Sequence, residues 1–120
     1  MKNQISVMAL SLALLTACGN SAMLSNVGIP GDANNPKTNS IGKNQQLSYM
    51  TAGHMAEACD AQNKIILAAG WTDKSENLEN ETYLKKTFAN YKNSMVVICS
   101  EQQEGTEFKG TKVTMTLLSL

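Results

Sequence analysis

The chain has 120 residues, with ten Lys+Arg balanced by ten Asp+Glu and a formal net charge of zero. That length suits one small domain. Every one of the ten cations is a lysine, so the bidentate phosphate and base contacts that arginine supplies are missing, and the composition excludes a nucleic-acid footprint.

Met1-Lys2-Asn3 carries one positive charge, and residues 5–15 are apolar apart from Ser6 and Ser11. Small residues follow, Thr16 and Ala17, and then Cys18. A charged start, a short apolar run and a small-residue cleavage site form a secretory signal, too short to span a bilayer as a mature helix. Leu15-Thr16-Ala17-Cys18 resembles the lipobox of bacterial lipoproteins. The resemblance covers about the first twenty residues and implies cleavage after residue 17, with acyl chains on the thiol and the new amino group of Cys18. It also implies a cell-envelope location. In the enteric-type sorting rule of that class an aspartate after the cysteine retains the protein at the inner membrane. Gly19 stands there instead, which points to the outer membrane. Three acyl chains would anchor firmly, since one chain binds only marginally.

Three segments are expected: 1–17 as the signal peptide, 18–45 as the lipidated cysteine and a flexible tether, and 46–120 as a small domain. The tether is dense in Asn, Gly and Ser and holds both prolines, Pro30 and Pro36; such a composition buries too little apolar surface to offset its ordering entropy. Fully extended it would reach about 90 Å. Met23, Leu24, Val27 and Ile29 are its apolar exceptions.

Leu47, Met50, His54, Ala58, Ala61, Ile65 and Ala68 recur at three- and four-residue spacing, which predicts one helix over 46–69. The alternative breaks it near Gln62 and makes Ile65-Ile66-Leu67 a strand. Gly70 is placed to end the helix in a left-handed conformation, with Trp71 packing back toward Ile66. A second helix is expected over 80–93, capped by Asn80, with Leu84, Phe88 and Tyr91 as its buried stripe. Met95-Val96-Val97-Ile98-Cys99 is β-branched and apolar, and Val113, Met115 and Leu117 alternate, so the end of the chain is expected to be an antiparallel hairpin. The expected architecture is α+β, two helices packed on that small antiparallel sheet.

With Cys18 committed to lipid, Cys59 and Cys99 are an even pair in an exported chain. An oxidising compartment favours their joining as one disulfide, with two buried free thiols as the alternative. Two cysteines and one distant histidine have no zinc spacing, so no metal site is expected. His54 is the only histidine, and no serine sits in a nucleophile-elbow setting that could use it as a base. No glycine loop lies between a strand and a helix to cradle phosphate. No catalytic residue and no cofactor are therefore assigned. The expected function is that of a non-catalytic, lipid-anchored interaction module binding another envelope protein. Its contact surface would lie around Trp71 and the hairpin edge, including the acids Glu101, Glu104 and Glu107. An inhibitor or immunity-type lipoprotein is the alternative, with the 100–111 loop as the plug that blocks a hydrolase or toxin.

Overall fold

The structure, a computed structural model, describes residues 26–75 and 82–118. The signal peptide, Cys18 and the expected cap Asn80 lie outside the described residues. The strands and helix run in the order β1 (Asn34–Ile41), β2 (Asn44–Thr51), α1 (Met55–Ala68), β3 (Thr72–Asp73), β4 (Tyr83–Asn90), β5 (Asn93–Glu104) and β6 (Glu107–Leu118). The strands form one six-stranded sheet in the order β1-β2-β6-β5-β4-β3, antiparallel throughout. This corrects the expected pair of helices on a small hairpin sheet: among the described residues one helix packs on a large sheet, and both predicted helical stretches contain a strand.

Each difference has a local cause. The first part of the expected 46–69 helix is β2. Leu47, Tyr49 and Thr51 alternate with Ser48 and Met50, and the first set is buried. Leu47 and Met50 satisfy a helical spacing as well, which masks that alternation. The helix begins only after Gly53, at Met55, and it runs without a break through Ile65 and Ile66 to Ala68. Its end follows the sequence: Gly70 has φ +97°, its N–H reaches the Leu67 carbonyl at 3.1 Å and the Trp71 N–H reaches the Ile66 carbonyl at 3.4 Å, the paired bonds of a Schellman cap. In β4, Leu84 and Phe88 are four apart, a spacing that both a helix face and a strand face satisfy. Lys86 lies between them on the same face, and this hid the period of two.

The stretch expected to be a tether supplies β1 and a strap before it. Val27 is buried in the core, and β1 pairs with β2 across Thr38↔Leu47 and Asn39↔Gln46. The chain is thus part of the fold from Val27 onward. All eight residues of β1 are exposed, and Pro36 stands where the register shifts between Asn34 and Lys37. Proline, lysine and a bulge are devices that blunt an edge strand against further pairing.

The core lies between α1 and one face of the sheet. Tyr49, Phe88, Met95, Val97, Val113, Met115 and Leu117 fill it from the strands, with Ala58, Cys59, Ile66 and Trp71 from the helix and its end. The Cys59–Cys99 disulfide joins the helix to a central strand, with Cα atoms 5.8 Å apart. Gln62 is wholly buried and satisfied at both ends. Its Oε1 accepts the Tyr49 hydroxyl at 2.7 Å, and its Nε2 donates to the Gly28 carbonyl at 3.1 Å. Burial, with Asp32 adding to it, holds the Tyr49 hydroxyl well above the usual tyrosine pKa, so it remains a donor.

Three hairpins have two-residue turns, Gly42-Lys43, Tyr91-Lys92 and Gly105-Thr106. In each the first residue has positive φ, +61°, +57° and +66°, and the second does not, the pattern of a type II′ turn. The sheet has two distinct ends. The β1–β2 and β4–β5 turns and the C-terminus of α1 lie at one; the N-terminus of α1 and the β5–β6 turn lie at the other.

Candidate functional site

The β5–β6 hairpin outruns its neighbours. The last β4 partner of β5 is Ser100, opposite Tyr83, and the first β6 residue paired with β2 is Thr111, opposite Thr51. Beyond those rungs the hairpin continues alone through Gln102↔Gly110, Gln103↔Phe108 and Glu104↔Glu107. About four residues at the rise of a strand give a projection of about 13 Å. Gln103, Glu104, Gly105, Thr106 and Glu107 at its tip are exposed, and Glu107 pairs with Lys109 at 3.2 Å.

The base of this finger is locked to the helix. Glu101 Oε2 accepts the backbone N–H of Met55 at 3.1 Å and lies 3.0 Å from His54 Nδ1. The His54 side chain makes no cap of its own, so a carboxylate from a strand 46 residues away serves one of the unpaired N–H groups that open a helix. The Met55 N–H, with His54 second, holds the Glu101 carboxyl below its usual pKa. Phe108 stacks on the His54 ring, centroids 4.2 Å apart and 20° from parallel. On the other strand, Gly110 has φ +114°, and a Cβ there would lie 2.7 Å from the Thr51 carbonyl oxygen. Glycine is required for that approach. The Thr111 hydroxyl donates to the Gly53 carbonyl at 2.7 Å, and the Thr51 hydroxyl donates to Asp32 at 2.9 Å, so strap, loop and hairpin base form one joined unit.

The residues expected to form a contact surface separate. Trp71 is 6% exposed and belongs to the core, so it presents nothing to a partner. The hairpin edge is not an edge: β5 and β6 are interior strands, and the sheet borders are β1 and β3. Of the three acids, Glu101 is committed to the helix, while Glu104 and Glu107 stand at the tip. His54, the only histidine, meets Glu101. Phe108, Gly110 and Thr111 were not singled out by the sequence. Only Gly110, a glycine before an alternating strand, carried a signal, and it suited a turn equally well.

A cleft of about 250 Å³ beside the helix N-terminal half is lined by Asp32, Tyr49, Thr51 and Glu57. Among the described residues no three of His, Cys, Asp and Glu come together to hold a metal ion, and no helix is long and apolar enough to cross a membrane. The chain matches no protein-family model, no curated protein and no solved structure.

Proposed function

We propose that the protein is a non-catalytic interaction module, held on an envelope membrane by acyl chains on Cys18, at the outer membrane. It engages another envelope protein through the β5–β6 finger. The observation that carries this reading is the finger itself: an extension with an exposed, acidic tip and a base fastened to the helix by Glu101, His54 and Phe108. A pre-ordered projection loses little entropy when it docks. Glu104 and Glu107 suit a basic surface on the partner.

The test uses the full chain in its native envelope, with a photo-crosslinking residue at Thr106. Adducts with a defined protein are expected, lost in Glu104→Lys/Glu107→Lys and absent when the crosslinker replaces Asp60 on the helix. Adducts that are the same from both positions, or that survive charge reversal, would remove the finger from the interface.

The same projection favours a second reading, in which the finger enters the active cleft of a hydrolase or toxin and blocks it. Deletion of the chain then sensitises the cell to that enzyme, and unchanged sensitivity to every hydrolase tried ends this reading.

A further inference from the structure

We propose that the end of the fold opposite the finger is a second membrane contact, seated on an anionic bilayer surface by Tyr91 and Ile41 with Lys43 and Lys92. The inference rests on acylation of Cys18, as proposed above, and adds where the domain lies once anchored.

Three of the four large hydrophobic side chains that stand exposed among the described residues lie at this one end. Tyr91 is fully exposed, Ile41 is 66% exposed and Leu67 is 47% exposed. Tyr91 lies in the β4–β5 turn, Ile41 ends β1 beside the β1–β2 turn, and Leu67 lies in the last turn of α1. The two hairpin turns are separated by three strand spacings, about 14 Å. They are separate tips on a broad end rather than the walls of a groove. That suits a flat lipid surface better than a protein pocket. Each turn adds a lysine beside its apolar residue, Lys43 and Lys92. No carboxylate lies in either turn or in residues 65–70 at the helix end. Asp73, three residues back from Tyr91 in register, is occupied by the Ser75 N–H at 2.7 Å. Tyrosine belongs at the membrane–water boundary, where its ring meets the acyl region and its hydroxyl meets the headgroups. Lysines beside it are drawn to an anionic leaflet.

Tyr91 also stands where its own chain disfavours it. The other two hairpin turns place glycine at the position of positive φ, and this one places an aromatic residue at φ +57°. The side chain covers nothing in the fold. Local strain kept at an exposed position points to a role outside the folded chain.

The path of the chain supplies the second argument. The strap runs alongside α1, with Gly28 against Gln62 and Ile65 and Asp32 at Thr51. It therefore travels from the helix's C-terminal half toward its N-terminus, and Asn26 lies toward the Tyr91 end. Residues 19–25 are all that separate Cys18 from Asn26, a reach of at most about 30 Å. The acyl chains hold this end, not the finger, close to the bilayer.

The test is lysine acetylation of the full-length protein from its native host, read by mass spectrometry. The protein is reconstituted in phosphatidylcholine vesicles doped with phosphatidylglycerol. The N-terminal peptide reports the acyl chains independently. With Cys18 acylated, Lys43 and Lys92 are expected to react about fivefold more slowly than Lys37, Lys85 and Lys112 on the uncovered sheet face. Tyr91→Gly, which the turn accepts readily, should abolish most of the protection of Lys92 while the anchor remains. Equal reactivity of all five lysines in an acylated protein overturns the contact and leaves the anchor standing. Protection in native envelopes but not in vesicles also overturns it, because the occupant is then a protein. A bare Cys18 sinks the anchor and this inference together.

Discussion

Tyr91 and Gln62 mark opposite treatments of a single side chain. Tyr91 carries a left-handed backbone and no contact within the fold. A non-glycine residue there costs about 1–2 kcal/mol, and glycine's larger unfolded-state entropy returns part of that on substitution. Tyr91→Gly is therefore expected to raise stability by about 0.5–1 kcal/mol, a shift of several degrees in melting temperature for a domain of this size. A lower melting temperature would mean that the turn is not strained. Gln62, by contrast, is buried among apolar neighbours and serves two partners from separate segments, Tyr49 and Gly28. Gln62→Leu keeps the volume but leaves the Tyr49 hydroxyl and the Gly28 carbonyl unpaired. The cost is expected to be about 1–3 kcal/mol in urea unfolding; a neutral result would show that water replaces the glutamine. Glu101 supplies the pH dependence. Its carboxyl pKa is lower in the fold than in the open chain, so its contribution is present above the unfolded carboxylate pKa and is lost as the pH falls through the folded value. Urea midpoints of Glu101→Gln should fall below wild type at neutral pH and converge with it on acidification. A constant gap across that range would assign the effect to packing.

Among the elements, α1 is held by two kinds of bond at different heights. The disulfide fastens its first half to β5, and Glu101 caps its start. A bridge between cysteines 40 positions apart is expected to contribute about 4 kcal/mol by restricting the unfolded chain. Core packing in so small a domain seldom supplies more than about 3–5 kcal/mol. Cys59→Ala/Cys99→Ala should accordingly leave a marginal fold, measurable as a collapse of the urea midpoint; a small change would show that the sheet alone suffices. These same elements show what was legible beforehand. The β5–β6 hairpin and its alternation were plain because Val113, Met115 and Leu117 admit only a period of two. The cysteine pair followed from parity, and the helix end followed from Gly70. The strands β2 and β4 were not legible, since Leu47 with Met50 and Leu84 with Phe88 fit a helical stripe equally well. Their true partners lie in β6 and β5, far along the chain. The Glu101–His54 junction was invisible for the same reason: its members are 47 residues apart.

At the scale of the molecule, the sheet gives a body about 51 Å long and 33 Å wide, with a fastened finger at one end and the β1–β2 and β4–β5 turns at the other. The proposed anchor and the proposed grip are thereby separated along the strands. Only this separation makes both roles compatible, because a finger beside the lipid would be screened by the bilayer. Trp71 belonged to the expected surface because an aromatic at a helix end beside a polar loop suits either role. The Schellman bond to Ile66 turns it inward, and the surface moved to the hairpin tip.

The register of the sheet has a mechanical corollary. Were the proposed anchor and the proposed grip drawn apart, tension would enter at the end near Tyr91 and leave through the finger, running parallel to the strands. Rungs loaded in that direction resist as a set, whereas a pull across the strands would open them singly.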